Sequence, residues 1–323
     1  MSGAITIRVP ASTSNLGAGF DCVGVAVDRW LTLTAWRVES GSATGLVRRR
    51  GTLLALAPGE GLIEQGVAAA CRAAGWAAPA GIALEVESRI PIGRGLGSSA
   101  AAVVAGAAAA NALLSLGLER HAIARLCTVI EGHPDNVVPA VYGGAMLAVW
   151  GGREACGGTG EERGAGPLVV APLQIHESLA LVFAVPDFAI ETKRARSVLP
   201  AMVSHGTAVR AAARSAALVR GLALAHPALL AAALDDVLHV PYRRQLVPGY
   251  DSVTAAAVQA GAFGATLSGS GPTIVAVSPR GVARAVEGAM TSAWRGAGVA
   301  AETFQNIGAV SGYTMAGPAA VDS

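Results

Sequence analysis

A run of glycines stands between a predicted strand and an alanine-rich stretch, and its residue types suit phosphate binding. Gly93, Gly95 and Gly97 are followed at once by Ser98 and Ser99. Glycine lets the backbone approach phosphate oxygens without a Cβ clash, and the free N–H groups of a helix's first turn attract anions. A serine hydroxyl at that place can cap the helix or bind Mg²⁺. The pattern therefore predicts a phosphate-binding loop.

The spacing of the glycines excludes two common phosphate loops. No Gly-Lys-Ser or Gly-Lys-Thr follows the run, and the order is G-x-G-x-G, whereas dinucleotide-binding loops carry G-x-G-x-x-G. Taken alone, the run indicates phosphate binding only weakly. A purely structural turn before a helix stays open at this point.

The decapeptide at residues 91–100 resembles the signature of the kinase superfamily named for galactokinase, homoserine kinase, mevalonate kinase and phosphomevalonate kinase, abbreviated GHMP. Residues 10–21 resemble its first motif in the form typical of homoserine kinase, and residues 267–273 resemble its third. The three motifs span most of the chain. The resemblance implies an ATP-binding set comprising Pro91, Ile92, Gly93, Arg94, Gly95, Leu96, Gly97, Ser98, Ser99, Ala100, Ala101, Ser268, Gly269, Ser270 and Gly271.

The resemblance also implies an activity and its cofactor. It implies an ATP-dependent kinase that phosphorylates the hydroxyl of L-homoserine, a step toward threonine, with Mg²⁺ held by Ser99 and Glu131. Glu131 could instead be a solvent-exposed side chain, because a carboxylate at a helix end opposes the helix dipole. The expected partners are ATP and L-homoserine, with a homodimer possible but no interface readable. Two rival functions stay open: a kinase for another alcohol, and a nucleotide-binding sensor without catalysis.

Asn136, Asp135 and Arg196 are the candidate catalytic residues. In the mevalonate-kinase branch, the resemblance implies an aspartate base within the segment that corresponds to residues 131–139. Counting back from the shared Gly143-Gly144 pair puts Asn136 at that position, and an amide cannot accept the proton. We therefore expect catalysis by positioning and charge neutralisation, with the hydroxyl proton passing to the γ-phosphate or to water. Asp135 as the base is the alternative.

An amino-acid alcohol offers an ammonium, a carboxylate and a hydroxyl, so its pocket needs an acid, arginines and an orienting polar group. Asn15 and Asp21 lie in the first motif, and Thr192 and Arg196 are four residues apart, which puts them on one helix face. Arg243 follows Pro-Tyr in a further segment that resembles the family. Each has another reading, because Asn15 and Asp21 could stabilise a turn and the arginines could be surface charges.

The elements that position these residues are mixed along the chain. Residues 4–9 and the alternating residues 82–87 predict strands, residues 10–19 a loop, and residues 100–118 and 119–131 helices. Strands and helices in both halves predict an α/β or α+β protein. The resemblance implies an α+β, two-domain fold, with a ribosomal-protein-like α/β domain at residues 1–165 and a ferredoxin-like domain at residues 166–323. The glycine-rich residues 151–167 are expected to form a flexible loop.

Composition narrows the class of protein. With 24 Lys and Arg against 22 Asp and Glu in 323 residues, the net charge of +2 gives no case for nucleic-acid binding, and residues 48–50, all arginine, are expected in a solvated turn. Four separated cysteines favour free thiols in a reducing compartment. The apolar residues 100–118 contain Gly, Asn and Ser, and are expected to form a buried helix in preference to a membrane span. We expect a cytoplasmic protein without a signal peptide.

Overall fold

The computed structural model describes residues 3–38, 47–51, 61–76, 81–151 and 166–317, which form two sheets covered by helices. The strands are β1 (Ile5–Asn15), β2 (Gly19–Arg37), β3 (Val47–Gly51), β4 (Ile82–Ser88), β5 (Ala145–Trp150), β6 (Leu168–Leu173), β7 (Leu179–Pro186), β8 (Gly264–Leu267), β9 (Ile274–Pro279), β10 (Ala301–Asn306) and β11 (Thr314–Ala316). The helices are α1 (Leu62–Ala73), α2 (Ser98–Leu113), α3 (Arg120–Glu131), α4 (Val137–Tyr142), α5 (Thr192–Ser197), α6 (His205–Leu224), α7 (Pro227–Leu234), α8 (Val240–Arg243), α9 (Tyr250–Gln259) and α10 (Ala283–Gly296).

The first sheet has seven strands arranged around β2, which is 19 residues long. One edge of β2 pairs with β1, and the other edge pairs with β5 near the start of β2 and with β4 near its end. The sheet is completed by β3 beside β4, β6 beside β5 and β11 beside β1. Both β6 and β11 follow residue 165, so the first sheet draws on the far part of the chain. The boundary between residues 165 and 166 stays a prediction, and residues 152–165 of the expected glycine-rich loop lie outside the described ranges.

Two predicted connections are strands in the structure. Residues 10–15, expected in a loop, continue β1 and pair with β2 up to Asn15. Their small polar side chains are buried, because the hydroxyls of Ser12 and Ser14 bond within the protein, so a composition typical of turns was misleading here. Residues 48–50, expected in a solvated turn, lie in β3, which pairs in parallel with β4. Among the described residues, β3 is the last strand on this side of the sheet.

The second sheet has four antiparallel strands in the order β10-β7-β9-β8. If these four strands are numbered along the chain from β7, their order across the sheet is fourth, first, third, second. Helices precede the second and the fourth of these strands in the chain. That is the βαββαβ arrangement of a ferredoxin-like unit. Helices α9 and α10 cover one face of it, with Trp294 fully buried beneath. The predicted α+β fold with a ferredoxin-like second half is confirmed.

Helix α2 is the centre of the first core. Every residue from Ala100 to Ala110 is buried, so the alanine-rich segment is a core helix, as predicted. The described part of the chain contains no helix both long and apolar enough to cross a membrane. A Cβ on Gly106 would lie 2.0 Å from the carbonyl oxygen of Ile63 on α1, so only glycine permits this helix contact. The tight packing fixes α2, and with it the loop that precedes the helix. Cys22, Cys71 and Cys127 are free thiols, as predicted, and Cys156 lies outside the described residues.

Candidate active site

The glycine loop forms the turn from β4 into α2. Gly93, Gly95 and Gly97 have φ angles of +67°, +76° and +67°, a backbone conformation that other residues adopt only with strain. Helix α2 begins at Ser98, and no side chain caps its first N–H groups. An uncapped helix N-terminus that opens into a cavity is a binding site for anions.

The four consecutive carbonyl groups of residues 93–96 all accept hydrogen bonds from outside the loop. Since these acceptors are engaged on the protein side, the peptide planes of the loop are held in fixed orientations. Three of the four donors belong to residues 190–273, so the second half of the chain shapes the loop. The pairs are Ile190 N–H to Gly93 (2.9 Å), Thr273 N–H to Arg94 (3.3 Å), Ser268 Oγ to Gly95 (2.7 Å) and Ser12 N–H to Leu96 (3.2 Å).

The loop opens onto a cavity of about 290 Å³ between the two halves of the chain. Most of the candidate residues line it: Asn15, Asp21, Gly93, Gly95, Leu96, Gly97, Ser98, Ser99, Glu131, Asp135, Asn136, Thr192, Arg196, Arg243, Gly269 and Ser270. The other candidates support its walls without lining it: Pro91, Ile92, Arg94, Ala100, Ala101, Ser268 and Gly271. Among the supporting residues, Arg94 donates from Nη1 to the carbonyl oxygen of Pro186 at 2.6 Å and so ties the loop to the end of β7.

A carboxylate and a hydroxyl meet at the start of α2. Ser99 Oγ donates to Glu131 Oε1, which lies at the end of α3. Burial raises the pKa of Glu131, and the hydrogen bond from Ser99 offsets part of that effect. A partly buried carboxylate that borders a phosphate-binding loop is stabilised by a cation, and carboxylate and hydroxyl oxygens are the ligands that hard divalent ions prefer. The pair therefore fits a divalent cation.

Asp135 and Asn136 lie side by side beneath the loop, and both are nearly inaccessible to solvent. Asn136 accepts from Ser12 Oγ at 2.9 Å and donates to Ser14 Oγ at 3.0 Å. Asp135 Oδ1 lies 2.6 Å from His133 Nδ1 and also accepts from the Asn136 amide at 3.4 Å. Burial alone would raise the pKa of Asp135, but the charge and hydrogen bond of His133, with smaller contributions from Ser14 and Arg196, outweigh burial, so the pKa is lowered. The carboxylate is held ionised and is a weak base.

At another part of the cavity wall, Asp21 and Arg196 form a bidentate ion pair. Arg196, on α5, donates to both oxygens of Asp21 at 2.7 and 3.2 Å. Asn15 Oδ1 accepts from the Asp21 backbone N–H at 3.0 Å, and its amide donates to the carbonyl oxygen of Gly269 at 3.0 Å. Asn15, at the end of β1, and Asp21, near the start of β2, both have positive φ angles, and both line the cavity. Thr192, one turn before Arg196, also lines the cavity.

Arg243, on α8, is only 2% exposed, yet it borders the cavity. Its Nε donates to the carbonyl oxygen of Ala195 at 3.0 Å, and Nη1 donates to Gly269 at 3.4 Å and to His239 at 3.2 Å. No carboxylate among the described residues forms an ion pair with it. Burial, followed by the nearby charge of Arg196, lowers the pKa of Arg243 to about 10. This guanidinium is a charge without an anionic partner at a cavity wall.

Sequence reasoning missed several residues of the wall. Ser14, His133, Leu62 and Ile130 all line the cavity. His133 stands inside residues 131–139, the segment that resembles the family, so its position was the available signal. The signal for Ser14 was the hydroxyl-rich run in the first motif, which was interpreted as a turn, whereas β1 carries it into the site.

Two family models match the chain. They describe the N-terminal domain of GHMP kinases, at residues 61–144, and the C-terminal domain of GHMP kinases, at residues 213–296. The first range contains the glycine loop and Glu131, and the second contains Arg243 and Ser268. The chain belongs to the GHMP kinases. They are ATP-dependent kinases of small molecules, and a divalent cation accompanies ATP in such reactions.

Curated relatives narrow the branch of the GHMP kinases. A homoserine kinase of Trichormus variabilis is 39% identical over 300 residues, which is 92% of this chain and 94% of that protein. A homoserine kinase of Gloeobacter violaceus is 42% identical over 299 residues, 89% of this chain and 92% of that protein. The crystal structure of homoserine kinase from Cytophaga hutchinsonii superposes with a TM-score of 0.83 at 28% identity, covering 98% of each chain.

Proposed function

We propose that this GHMP kinase transfers the γ-phosphoryl group of ATP to the side-chain hydroxyl of L-homoserine and yields ADP and O-phospho-L-homoserine. One observation carries the proposal: a single cavity is lined both by the phosphate loop and by an acid, an amide and two arginines. The homoserine kinases to which the chain is similar support the choice of substrate.

The charges around the cavity match the three handles of homoserine. Asp21 suits the ammonium group, since a carboxylate is the ordinary partner of an amine. Arg243 suits the carboxylate, because it is charged, nearly buried and without an anionic partner in the described part of the chain. Arg196 can share that carboxylate while it keeps its pair with Asp21. Asn136 lies beside the loop, since a Cβ on Gly97 would lie 3.1 Å from its Oδ1, so its amide would orient the hydroxyl. Thr192 completes this wall.

The nucleotide would lie with its phosphates on the glycine loop and the start of α2. Ser99 and Glu131 would hold Mg²⁺ there, and the ion, when bound, neutralises phosphate charge that develops during transfer. The protein residues supply fixed positions: the loop carbonyls are hydrogen-bonded away from the cavity. The N–H groups of a backbone held in this way are preorganised donors, which stabilise the transition state without rearranging during the reaction.

Proton removal needs no strong base in this arrangement. Asp135 is ionised but its Oδ1 is engaged by His133 and Asn136, and its lowered pKa makes it a poor proton acceptor. We infer that the hydroxyl proton passes to the transferred phosphoryl group or to water. Asp135→Asn should keep measurable turnover. If this variant bound homoserine normally but had no turnover, Asp135 would be the base and the inference would be wrong.

An ADP-release assay with a panel of acceptors tests the function. L-homoserine should support turnover well above the rate with water, and mevalonate should not. L-2-aminobutyrate, which is homoserine without its hydroxyl, should inhibit competitively against homoserine and release no ADP. Fast turnover of mevalonate with none of homoserine would overturn the proposal. ATP binding without transfer to any alcohol would contradict it in favour of a nucleotide sensor.

A further inference from the structure

His239 is a fully buried histidine wedged between Arg243 and the turn that follows β1. Its Nδ1 lies 3.2 Å from Arg243 Nη1, and its Nε2 lies 3.1 Å from the carbonyl oxygen of Gly17. The ring stacks on Phe20 with centroids 4.8 Å apart, and the Arg243 guanidinium lies 5.2 Å from the same Phe20 ring. One side chain thus joins α8 to the first motif of the chain.

The two polar neighbours of His239 determine its protonation state. A guanidinium can only donate a hydrogen bond, and a carbonyl oxygen can only accept one. Only the neutral imidazole with its proton on Nε2 satisfies Arg243 and Gly17 together. Burial lowers the pKa of His239 to about 4, against the opposing charge of Asp236, and the charge of Arg243 lowers it further. His239 is therefore neutral throughout the physiological range of pH.

The backbone around His239 is held as firmly as its ring. Asp236 Oδ2 accepts hydrogen bonds from the backbone N–H groups of Leu238, His239 and Val240 at 3.0, 2.6 and 2.8 Å. Arg243 is one helical turn further on, and its Nε is bound to Ala195. Because both ends of the His239–Arg243 contact are fixed, the guanidinium has little freedom to turn.

Because the hydrogen-bond acceptor beside Arg243 is neutral, the charge of the arginine is retained. An aspartate or glutamate beside Arg243 would hold it equally well but would cancel its charge, whereas imidazole holds Nη1 and leaves the charge in place. Nη2 of Arg243 takes no hydrogen-bond partner from the described residues, so it is available to an anion in the cavity.

We propose that His239 is a positioning residue for substrate recognition, which holds the Arg243 guanidinium as a neutral acceptor so that its full charge faces the anionic group of the substrate. The inference rests on the proposed function, in which that group is the homoserine carboxylate.

Three substitutions of His239 separate two of its properties: the hydrogen bond that it accepts from Arg243 and its lack of charge. His239→Gln keeps one acceptor and one donor, and should leave KM for homoserine within threefold of the wild-type value. His239→Leu removes both and should raise KM for homoserine at least tenfold, with KM for ATP within threefold. His239→Glu has the shape of the Gln variant but adds a charge, and should also raise KM for homoserine at least tenfold. If His239→Leu does not fold, the Gln and Glu variants still decide.

Val240→Ala is the matched control, since Val240 is a buried apolar residue of α8 in the core of the second sheet and takes no part in the hydrogen bonds of Arg243. It should lower Tm and leave KM for homoserine unchanged, because loss of packing alone should not select one substrate. A KM for homoserine within twofold of wild type in both the Leu and Glu variants would overturn the proposal. So would a rise of equal size in both KM values.

A double-mutant cycle tests whether His239 acts through Arg243. In an Arg243→Met background, His239→Leu should change KM for homoserine by less than twofold, since the group that it positions is gone. An undiminished tenfold effect in that background would overturn the proposal. If the wild-type protein did not phosphorylate homoserine at all, the proposed function would fail, and that result is distinct from either outcome here.

Discussion

Gly95→Ala tests how the loop is held. Gly95 has a φ of +76°, and a Cβ at this residue would lie 2.1 Å from the carbonyl oxygen of Ser268 and 2.9 Å from that of Gly271. Both atoms are backbone, so neither can rotate out of the way. The loop and the Ser268 turn must therefore separate by about 1 Å, a displacement that can cost roughly 100-fold in rate when it misplaces a reacting group.

Backbone strain must be separated from this displacement. A positive φ at a residue other than glycine costs about 1–3 kcal/mol of stability wherever it occurs. Gly117→Ala is the matched control, because Gly117 has a φ of +71° and nothing within 4 Å of its added Cβ. Both variants should lose similar stability from strain. Only Gly95→Ala should lose about 100-fold in kcat/KM for ATP, equivalent to about 2.7 kcal/mol of transition-state stabilisation.

Steady-state kinetics at varied ATP and saturating homoserine, with thermal melts of each variant, provide the measurement. A folded Gly95→Ala protein whose kcat/KM for ATP stayed within threefold of wild type would refute the reasoning. An equal loss in Gly117→Ala would show that instability, and not displacement of the loop, lowers the activity.

Three further outcomes are expected. Arg94→Ala removes the charged hydrogen bond to Pro186 and should lower Tm and raise KM for ATP about fivefold, as read from melts and kinetics. Ser99→Ala should raise the metal concentration for half-maximal activity about tenfold or more in a Mg²⁺ titration, whereas Ser98→Ala should change it less than threefold. Because the pKa of His239 is lowered to about 4, the unfolded chain binds this proton more tightly, and stability falls as pH drops from the ordinary histidine value toward 4. Between pH 7 and pH 5, this histidine should cost the wild-type protein about 2 kcal/mol of unfolding free energy. The His239→Gln variant should not show that part of the decrease when both proteins are measured by urea titration.

The parts of the site that could be predicted from the sequence are those encoded in short segments. The loop from Gly93 to Ser99 is contiguous, and its conformation is predicted by local signals: its glycines, its hydroxyls and the alanine-rich helix that follows it. Glu131 and Gly132 likewise mark the end of α3, and Gly132 has the positive φ expected of a helix stop. For such segments, local preference and the final structure agree.

The rest depends on contacts between distant residues. His239 is 222 residues from Gly17, and neither residue has a local pattern that indicates the other. The hydroxyls of β1 favoured a turn by composition, but pairing with β2 and burial under α2 override that preference. Strand β11 has three residues, too few to show a period, and it exists because β1 offers it an edge.

The hydrogen bonds on the loop carbonyls also determine when the nucleotide site can form while the chain is being synthesised. Ser268 is made 173 residues after Gly95, to which it donates. At ordinary translation rates, that separation corresponds to roughly 10–30 seconds. Throughout this interval the growing chain carries the glycine loop without Ser268 and Thr273, two of the four donors that orient it. A nucleotide pocket is therefore among the last features that the ribosome completes, and a truncated chain that ends before Ser268 has the phosphate-binding motif but not the geometry to use it.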